Sequence, residues 1–352
     1  MKTVKFGTVG LGRLGYEHAK NIAVSVPGAE LTAICDVDEV QVKRKYKEEF
    51  DVPYTYTDIN EMVKNPELDA IAIVSPTPLH VEHIKIAMEA GKHVFCDKPL
   101  GATVEQCLEA EKVIEAHLDQ LFMLGFMRRF DPSYMDVKQK IENGDIGKVI
   151  LVRCITQDPV STIEGTLAYA PHSGGQFLDM CVHDIDLVRW FTKSEPKKVW
   201  GIGGVFEYEL YRELNDGDNC AATMQCENDA MAFMYTGRAA AHGSHVETEI
   251  IGTKGTLRVA SVPSKNLVEV MSEHGVCREC YQDFLSRWHQ AYVNEMTEFA
   301  SCVRENRKPE ITVYDGTAVN KVANRCKESF ETKQLIRCPL INQRINPIKA
   351  KK

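Results

Sequence analysis

Lys5-Phe6-Gly7-Thr8-Val9-Gly10-Leu11-Gly12-Arg13-Leu14-Gly15 runs an apolar strand into glycines spaced G-x-G-x-x-G, and a helical pattern from Tyr16 to Val26 follows at once. Gly10 permits the tight strand-to-helix turn, Gly12 lets backbone approach a pyrophosphate, and Gly15 lets helix and strand pack closely. The new helix N-terminus presents unpaired N–H groups and the positive dipole end to phosphate. A second apolar strand, Glu30-Leu31-Thr32-Ala33-Ile34-Cys35, ends on Asp36, where a carboxylate accepts from the hydroxyls of an adenosine ribose. The spacing therefore predicts a dinucleotide site. Gly10, Gly12, Arg13, Leu14 and Gly15 serve the pyrophosphate, and Asp36 and Val37 serve the ribose. A purely structural glycine turn is the alternative, and the strand before with the helix after argues against it. A carboxylate at Asp36 repels a 2′-phosphate, so the expected cofactor is NAD rather than NADP. Asp38 either reinforces that repulsion or caps the next helix.

Working outward, the 352 residues suffice for two domains with sizeable cores. With 44% hydrophobic and 26% charged residues the chain is ordinary for a globular protein. A net charge of -8 argues against non-specific nucleic-acid binding. No apolar run is long enough to span a bilayer, and the N-terminus enters its first strand directly, so neither a membrane span nor a secretory signal is expected. The twelve cysteines are scattered through strands and helices, as at Cys35, Cys96, Cys154 and Cys181, and read as reduced core thiols. That points to the cytoplasm. Cys277-x-x-Cys280 stands without a second pair, so no metal is expected there.

The first part alternates strand and helix as a parallel sheet requires. A polar helix runs over Glu39–Phe50 and short elements follow at Tyr54–Tyr56 and Asp58–Lys64. The apolar run Asp69–Val74 then leads into the rigid loop Ser75-Pro76-Thr77-Pro78-Leu79-His80. Beyond it come strand His93–Cys96, the tripeptide Asp97-Lys98-Pro99, a helix near Val104–Ala116 and strand Leu121–Leu124. Successive strand ends present Gly10, Asp36, Ser75, Asp97 and Gly125 at one edge, where open α/β sheets bind ligands. From about Gly147 long strand-like runs replace the alternation: Lys148–Thr156, Lys198–Tyr208, Ala221–Tyr235, Val246–Gly252 and Thr256–Val259. Their period-two patterning suits an antiparallel sheet. One helix, Gly175–Phe191, sits among them, and two more, Asp283–Asn306 and Asp315–Glu331, close the chain. The tail Asn342–Lys352 has little to bury.

Lys98 follows a strand directly at the ligand edge, where an ammonium can polarise a hydroxyl or carbonyl oxygen. Asp179 and His183 sit at i, i+4, stacked on one helical face. An imidazole that accepts an alcohol proton needs a titration point near neutrality and a partner that fixes its tautomer. Asp179 supplies that partner, and Asp186 is placed to share the role. Three readings stand for this stripe: an acid–base pair, a solvated face, or a metal site of Asp, His and Asp. His80 touches the nicotinamide end or caps its helix; Ser75 and Thr77 share its loop. His242 and His245 precede a strand and are candidates to reach the cleft.

These residues together resemble the glucose-fructose oxidoreductase / inositol dehydrogenase family over Phe6 to about Phe330, most of all its bacterial NAD-dependent inositol 2-dehydrogenase branch. The likeness rests on Val9–Gly15, Asp97-Lys98-Pro99, Gly125-Phe126-Met127-Arg128-Arg129-Phe130-Asp131 and Asp179–Asp186. It implies an α/β chain with a Rossmann domain over 1–126, a second α/β domain over 127–338 with an open, mostly antiparallel sheet, and a tail over 339–352. It implies oxidation of an inositol hydroxyl with NAD, on myo-inositol, scyllo-inositol or another cyclic polyol, by the trio Lys98, Asp179 and His183. A catalytically silent NAD-binding regulator is the remaining reading. Asp97 and Lys98 would also border the cofactor. Met127, Arg128, Asp158 and His245 would line the substrate pocket, and the assembly would be a homotetramer joined through the second sheet. Two positions depart from the family pattern: Asp97 stands where glutamate is usual, and Ser244 where a tyrosine is common.

Overall fold

The apolar runs of the first part become six strands: β1 Val4–Val9, β2 Ala29–Cys35, β3 Tyr54–Tyr56, β4 Ala70–Ile73, β5 His93–Asp97 and β6 Phe122–Gly125. The protein is described here by a computed structural model covering residues 3–40, 42, 47–260 and 263–338. The strands pair in the order β3-β2-β1-β4-β5-β6, every pair parallel. All four residues of β4 are fully buried, as a strand covered on both faces must be. The turn after β1 needs its glycines. Gly10 adopts φ +82, and a Cβ on Gly15 would lie 1.8 Å from the Gly10 carbonyl oxygen. The helix expected over Glu39–Phe50 is described at Lys47–Phe50; residues 41 and 43–46 lie outside the described residues, as does the tail Asn342–Lys352.

The second sheet contains β7 Val149–Pro159, β8 Pro196–Gly204, β9 Asn219–Cys226, β10 Met231–Ala240, β11 His245–Gly252 and β12 Thr256–Val259. A hairpin, β13 Ser264–Ser272 with β14 Gly275–Cys280, stands apart as its own two-stranded sheet, and β15 Ile336–Arg337 completes the large one. The order is β12-β11-β7-β10-β9-β8-β15. All pairs are antiparallel except β10 with β7. The mostly antiparallel sheet is as expected, but three details differ from the sequence reading. Ala221–Tyr235 is not one run: β9 and β10 form a hairpin whose turn holds Asp229 at φ +67. The β13–β14 hairpin and the helix Pro132–Asn143 were not anticipated. The helix carries clear local signals, an Asp131 cap accepting from Ser133 and Tyr134, Pro132 at its first position and left-handed Gly144 at its end.

The helix expected over Gly175–Phe191 is two, Gln176–Asp179 and Cys181–Thr192, parted at Met180. At the break the Asp179 carbonyl accepts from Lys98 Nζ at 2.9 Å. The closing helices Phe284–Glu305 and Val313–Thr332 return to the first sheet. Phe299 lies 6.0 Å from both Phe6 and Phe95 between ring centroids, and Asn320 donates to the Gly101 carbonyl at 2.7 Å. One continuous apolar cluster therefore joins residues from both parts of the chain. No helix among the described residues is long and apolar enough to cross a membrane.

Candidate active site

The carboxyl ends of β1, β2, β4 and β5 bring Gly10, Asp36, Ser75 and Asp97 to one edge. Asp36 is held by the glycine turn itself: its Oδ2 accepts from Leu11 N at 2.7 Å and its Oδ1 from Asp38 N at 3.0 Å. Val37 beside it is exposed. A Cβ on Gly12 would meet no protein atom within 4 Å, so the turn is open on its outer side. The helix that starts there, Arg13–Val24, has no side-chain cap, which leaves its first N–H groups for an anion. The turn and carboxylate fit a dinucleotide. Leu14 packs on the apolar cluster, and the Arg13 guanidinium stacks over Phe284 at 4.8 Å rather than standing over the turn. Replacing Asp36 with serine is expected to raise the ratio of kcat/KM for NADP over NAD by about ten- to a hundred-fold, the worth of one charge-assisted hydrogen bond plus the lost repulsion. Steady-state kinetics with both cofactors check it, and an unchanged ratio refutes it.

The loop after β4 is tied down. Ser75 Oγ lies 3.0 Å from His83 Nδ1, and Thr77 Oγ1 lies 3.3 Å from Tyr169 Oη, on the helix Ile163–Tyr169 of the second part. His80 turns into the protein. It is buried, with Nδ1 2.7 Å from the Pro99 carbonyl oxygen and Nε2 2.8 Å from that of Ser75. Both ring nitrogens are used in binding the β4 loop to the tripeptide after β5.

Lys98 projects from that tripeptide across to the second part. Its Nζ sits 2.9 Å from the Asp179 carbonyl and 3.7 Å from Asp179 Oδ1. Asp97 is buried behind it, and burial, opposed by the Lys98 charge, pushes its pKa up to about 6. Burial likewise works to raise Asp179, but the Arg238 guanidinium and then Lys98 outweigh it and hold the carboxyl below its usual range. His183 is buried with no protein partner on Nδ1, its ring edge-on to Phe126 at 6.4 Å. Burial first, then the positive charges of Lys98 and Arg128, drive its pKa well below the ordinary value. These surroundings disfavour the imidazolium form.

The Asp179–His183 partnership read from helical spacing is corrected. The Asp179 carboxylate pairs with Arg238 and Lys98, and the helix is broken between the two residues. Nor does Asp186 share the role, because Arg129 holds it bidentately at 2.8 and 2.5 Å. Arg128 does not line a pocket: it is 3% exposed and spends its guanidinium on Asp184 at 2.5 Å and Thr156 at 3.2 Å. Met127 is buried as well. His245 pairs across from Gln157 and shares a sheet face with Glu247, 3.6 Å away, and Arg153. That is the face opposite Thr156 and Cys154, so the strand alternation turns it away from the trio. Asp158 reaches the Asp179 cluster through Arg238, with Oδ2 2.6 Å from Arg238 Nη1. Arg238 itself was missed. Its signal was a lone arginine in the otherwise uncharged strand Met231–Ala240.

Two family profiles match this chain: "Oxidoreductase family, NAD-binding Rossmann fold" over residues 4–126 and "GFO/IDH/MocA C-terminal domain" over residues 134–258. The scyllo-inositol 2-dehydrogenase (NAD(+)) of Bacillus subtilis is 34% identical over 93% of this chain and 94% of its own length. The scyllo-inositol dehydrogenase of Lactobacillus casei, solved with bound NAD(H) and scyllo-inositol, superposes with a TM-score of 0.92 at 43% identity, covering 96% of this chain and 99% of that one. The myo-inositol 2-dehydrogenase of Lactobacillus plantarum gives 0.93 at 38% identity, covering 96% and 100%.

Proposed function

The chain belongs to the GFO/IDH/MocA family of NAD-binding oxidoreductases, and on that premise we propose that it oxidises a secondary ring hydroxyl of an inositol to the ketone with NAD. The observation that carries this reading is the meeting of Lys98, from the cofactor edge, with Asp179 and a buried His183 from the second part. NAD supplies the hydride acceptor at nicotinamide C4. Lys98 donates to the alcohol oxygen and stabilises negative charge on it, while His183 takes the hydroxyl proton as general base. The carbinol hydrogen leaves as hydride and the C–O bond becomes a carbonyl. Asp179 holds the lysine in place through its carbonyl and carboxylate.

The test is NADH formation, followed by absorbance, with myo-inositol, scyllo-inositol and glucose as substrates. Turnover of an inositol with NAD is expected; tight NAD binding without turnover of any polyol would overturn the reading in favour of a silent regulator. A second reading, preference for scyllo-inositol, is favoured by the 43% identity to the Lactobacillus casei enzyme against 38% to the myo-inositol enzyme. The ratio of the two kcat/KM values decides between them.

The proposed assembly is a homotetramer through the outer face of the second sheet, where Trp200 and Ile202 of β8 and Met231 of β10 are each 46% exposed. Trp200→Asp is expected to shift the protein to a smaller species in light scattering after gel filtration, and an unchanged mass would refute that surface. All twelve cysteines are unpaired, which suits the reducing cytoplasm.

A further inference from the structure

We infer that Arg238 is the positioning residue of this site: its guanidinium joins Asp179 and Asp158 into one wall facing Lys98 and decides where the Asp179 carboxylate points. All three nitrogens of the fork are used. Nε donates to Gln176 Oε1 at 2.9 Å, Nη1 to Asp158 Oδ2 at 2.6 Å, and Nη2 to Asp179 Oδ2. The three acceptors come from two separate elements, the short helix Gln176–Asp179 and β7, so one side chain ties the broken helix to the sheet. The arginine is itself anchored. It is 4% exposed, its backbone N–H donates to the Asp218 carbonyl at 3.1 Å, and the Asp218 carboxylate in turn accepts from the N–H groups of Phe206, Glu207 and Tyr208. Gln176 is fixed from behind, its N–H donating to Asp216 Oδ2 at 2.8 Å.

The other cation at Asp179 is Lys98, whose ammonium bonds the Asp179 backbone carbonyl and stands 3.7 Å from the carboxylate. The Asp179 carboxylate thus takes its short hydrogen bond from Arg238, not from Lys98 or from His183 one turn on. Two carboxylates, Asp158 and Asp179, face two cations, Lys98 and Arg238. Tyr211 and Asp216 also face the guanidinium from the segment before β9, and His183 stands beyond the helix break. Without Arg238, Asp158 and Asp179 would be like charges side by side, and burial would favour protonating one of them. A protonated or displaced Asp179 no longer directs Lys98 at the reacting oxygen. A planar fork with three acceptors is also something a lysine, as a point charge, cannot reproduce.

The experiment compares wild type, Arg238→Gln and Arg238→Lys as full-length, NAD-loaded protein, with scyllo- and myo-inositol as substrates over roughly pH 5 to 9. Arg238→Gln is expected to lower kcat/KM about 100-fold, mostly through kcat. The Asp179 carboxyl is expected to titrate about one pH unit higher than in wild type, read by carbon NMR, because the acid limb of kcat/KM belongs to His183. Arg238→Lys should restore the low Asp179 titration while leaving kcat well below wild type. In an Asp179→Asn background, Arg238→Gln should add less than about a twofold further loss, because both act through one carboxylate. An unmoved Asp179 titration in Arg238→Gln, fully multiplicative losses, or wild-type kcat in Arg238→Lys would each overturn the inference. If Arg238→Gln fails to fold, the lysine variant alone decides by the same kcat criterion. The kinetic arm rests on the dehydrogenase reading. Carbon NMR titration of the Asp179 carboxyl in the NAD-loaded protein does not, and shows the same upward move with no substrate present.

Discussion

Replacing His183 with alanine is expected to lower kcat for inositol oxidation by about 1,000-fold, the usual worth of a positioned general base, while the dissociation constant for NAD stays within about twofold because the glycine turn is untouched. Oxidation of an alcohol releases a proton as hydride departs, and a base must be in place and uncharged when that happens. His183 meets both needs. It is buried, its Nδ1 has no protein partner, and burial together with Lys98 and Arg128 disfavours the imidazolium. The sign follows directly. A base whose charged form is disfavoured remains competent at lower pH, so the wild-type acid limb attributable to His183 should lie below the ordinary histidine range, about pH 6.5. Steady-state kinetics and NAD titration check both halves, and a variant turning over within about threefold of wild type would remove His183 from the chemistry.

Arg129→Met is expected to destabilise the protein by about 3–5 kcal/mol, the cost of leaving a buried carboxylate without its partner. Arg129 grips Asp186 with two hydrogen bonds and reaches Asp315 at 3.4 Å; Asp186 is 1% exposed. Its neighbour Arg128 does the same for Asp184, which is fully buried. Consecutive arginines thus hold the helix Cys181–Thr192, and with it His183, against the segment that follows β6. Chemical denaturation measures the loss. The double variant Arg129→Met, Asp186→Leu is expected to recover most of it, since an apolar pair leaves no charge unmatched. A single variant within about 1 kcal/mol of wild type would show that the pair carries little of the stability.

Both outcomes bear on what could be read before the fold was known. The Asp179–Asp186 segment was recognisably important, and its acids do face something definite. Helical spacing, though, ranks only neighbours on one helix. It paired His183 with Asp179 and let Asp186 share that role, whereas the acids of this segment reach across the chain: Asp179 to Arg238 and Lys98, Asp184 to Arg128, Asp186 to Arg129. Arg128 and His245 were misplaced for a related reason. The resemblance placed Arg128 at a pocket and a position before a strand placed His245 near the cleft, but burial and strand alternation decide which face a side chain takes. Caps were easier. The expected bounds Asp283 and Asn306 are the caps of their helix, whereas the last helix starts ahead of the expected Asp315, at Val313, behind a Thr312–Asp315 capping box.

By itself the sequence determined the parallel sheet, the glycine turn and the carboxylate at Asp36, because each depends on contacts within a strand, a turn and a helix. Gly15 cannot be larger when the Gly10 carbonyl lies where its Cβ would be, and Asp36 returns directly to Leu11 N. Only the tertiary structure decided the partners of the reacting groups. The shortest bond to the Asp179 carboxylate comes from a residue 59 positions away on another element. Buried charge seeks the nearest counter-charge in space, and nothing in the spacing along the chain says which that will be.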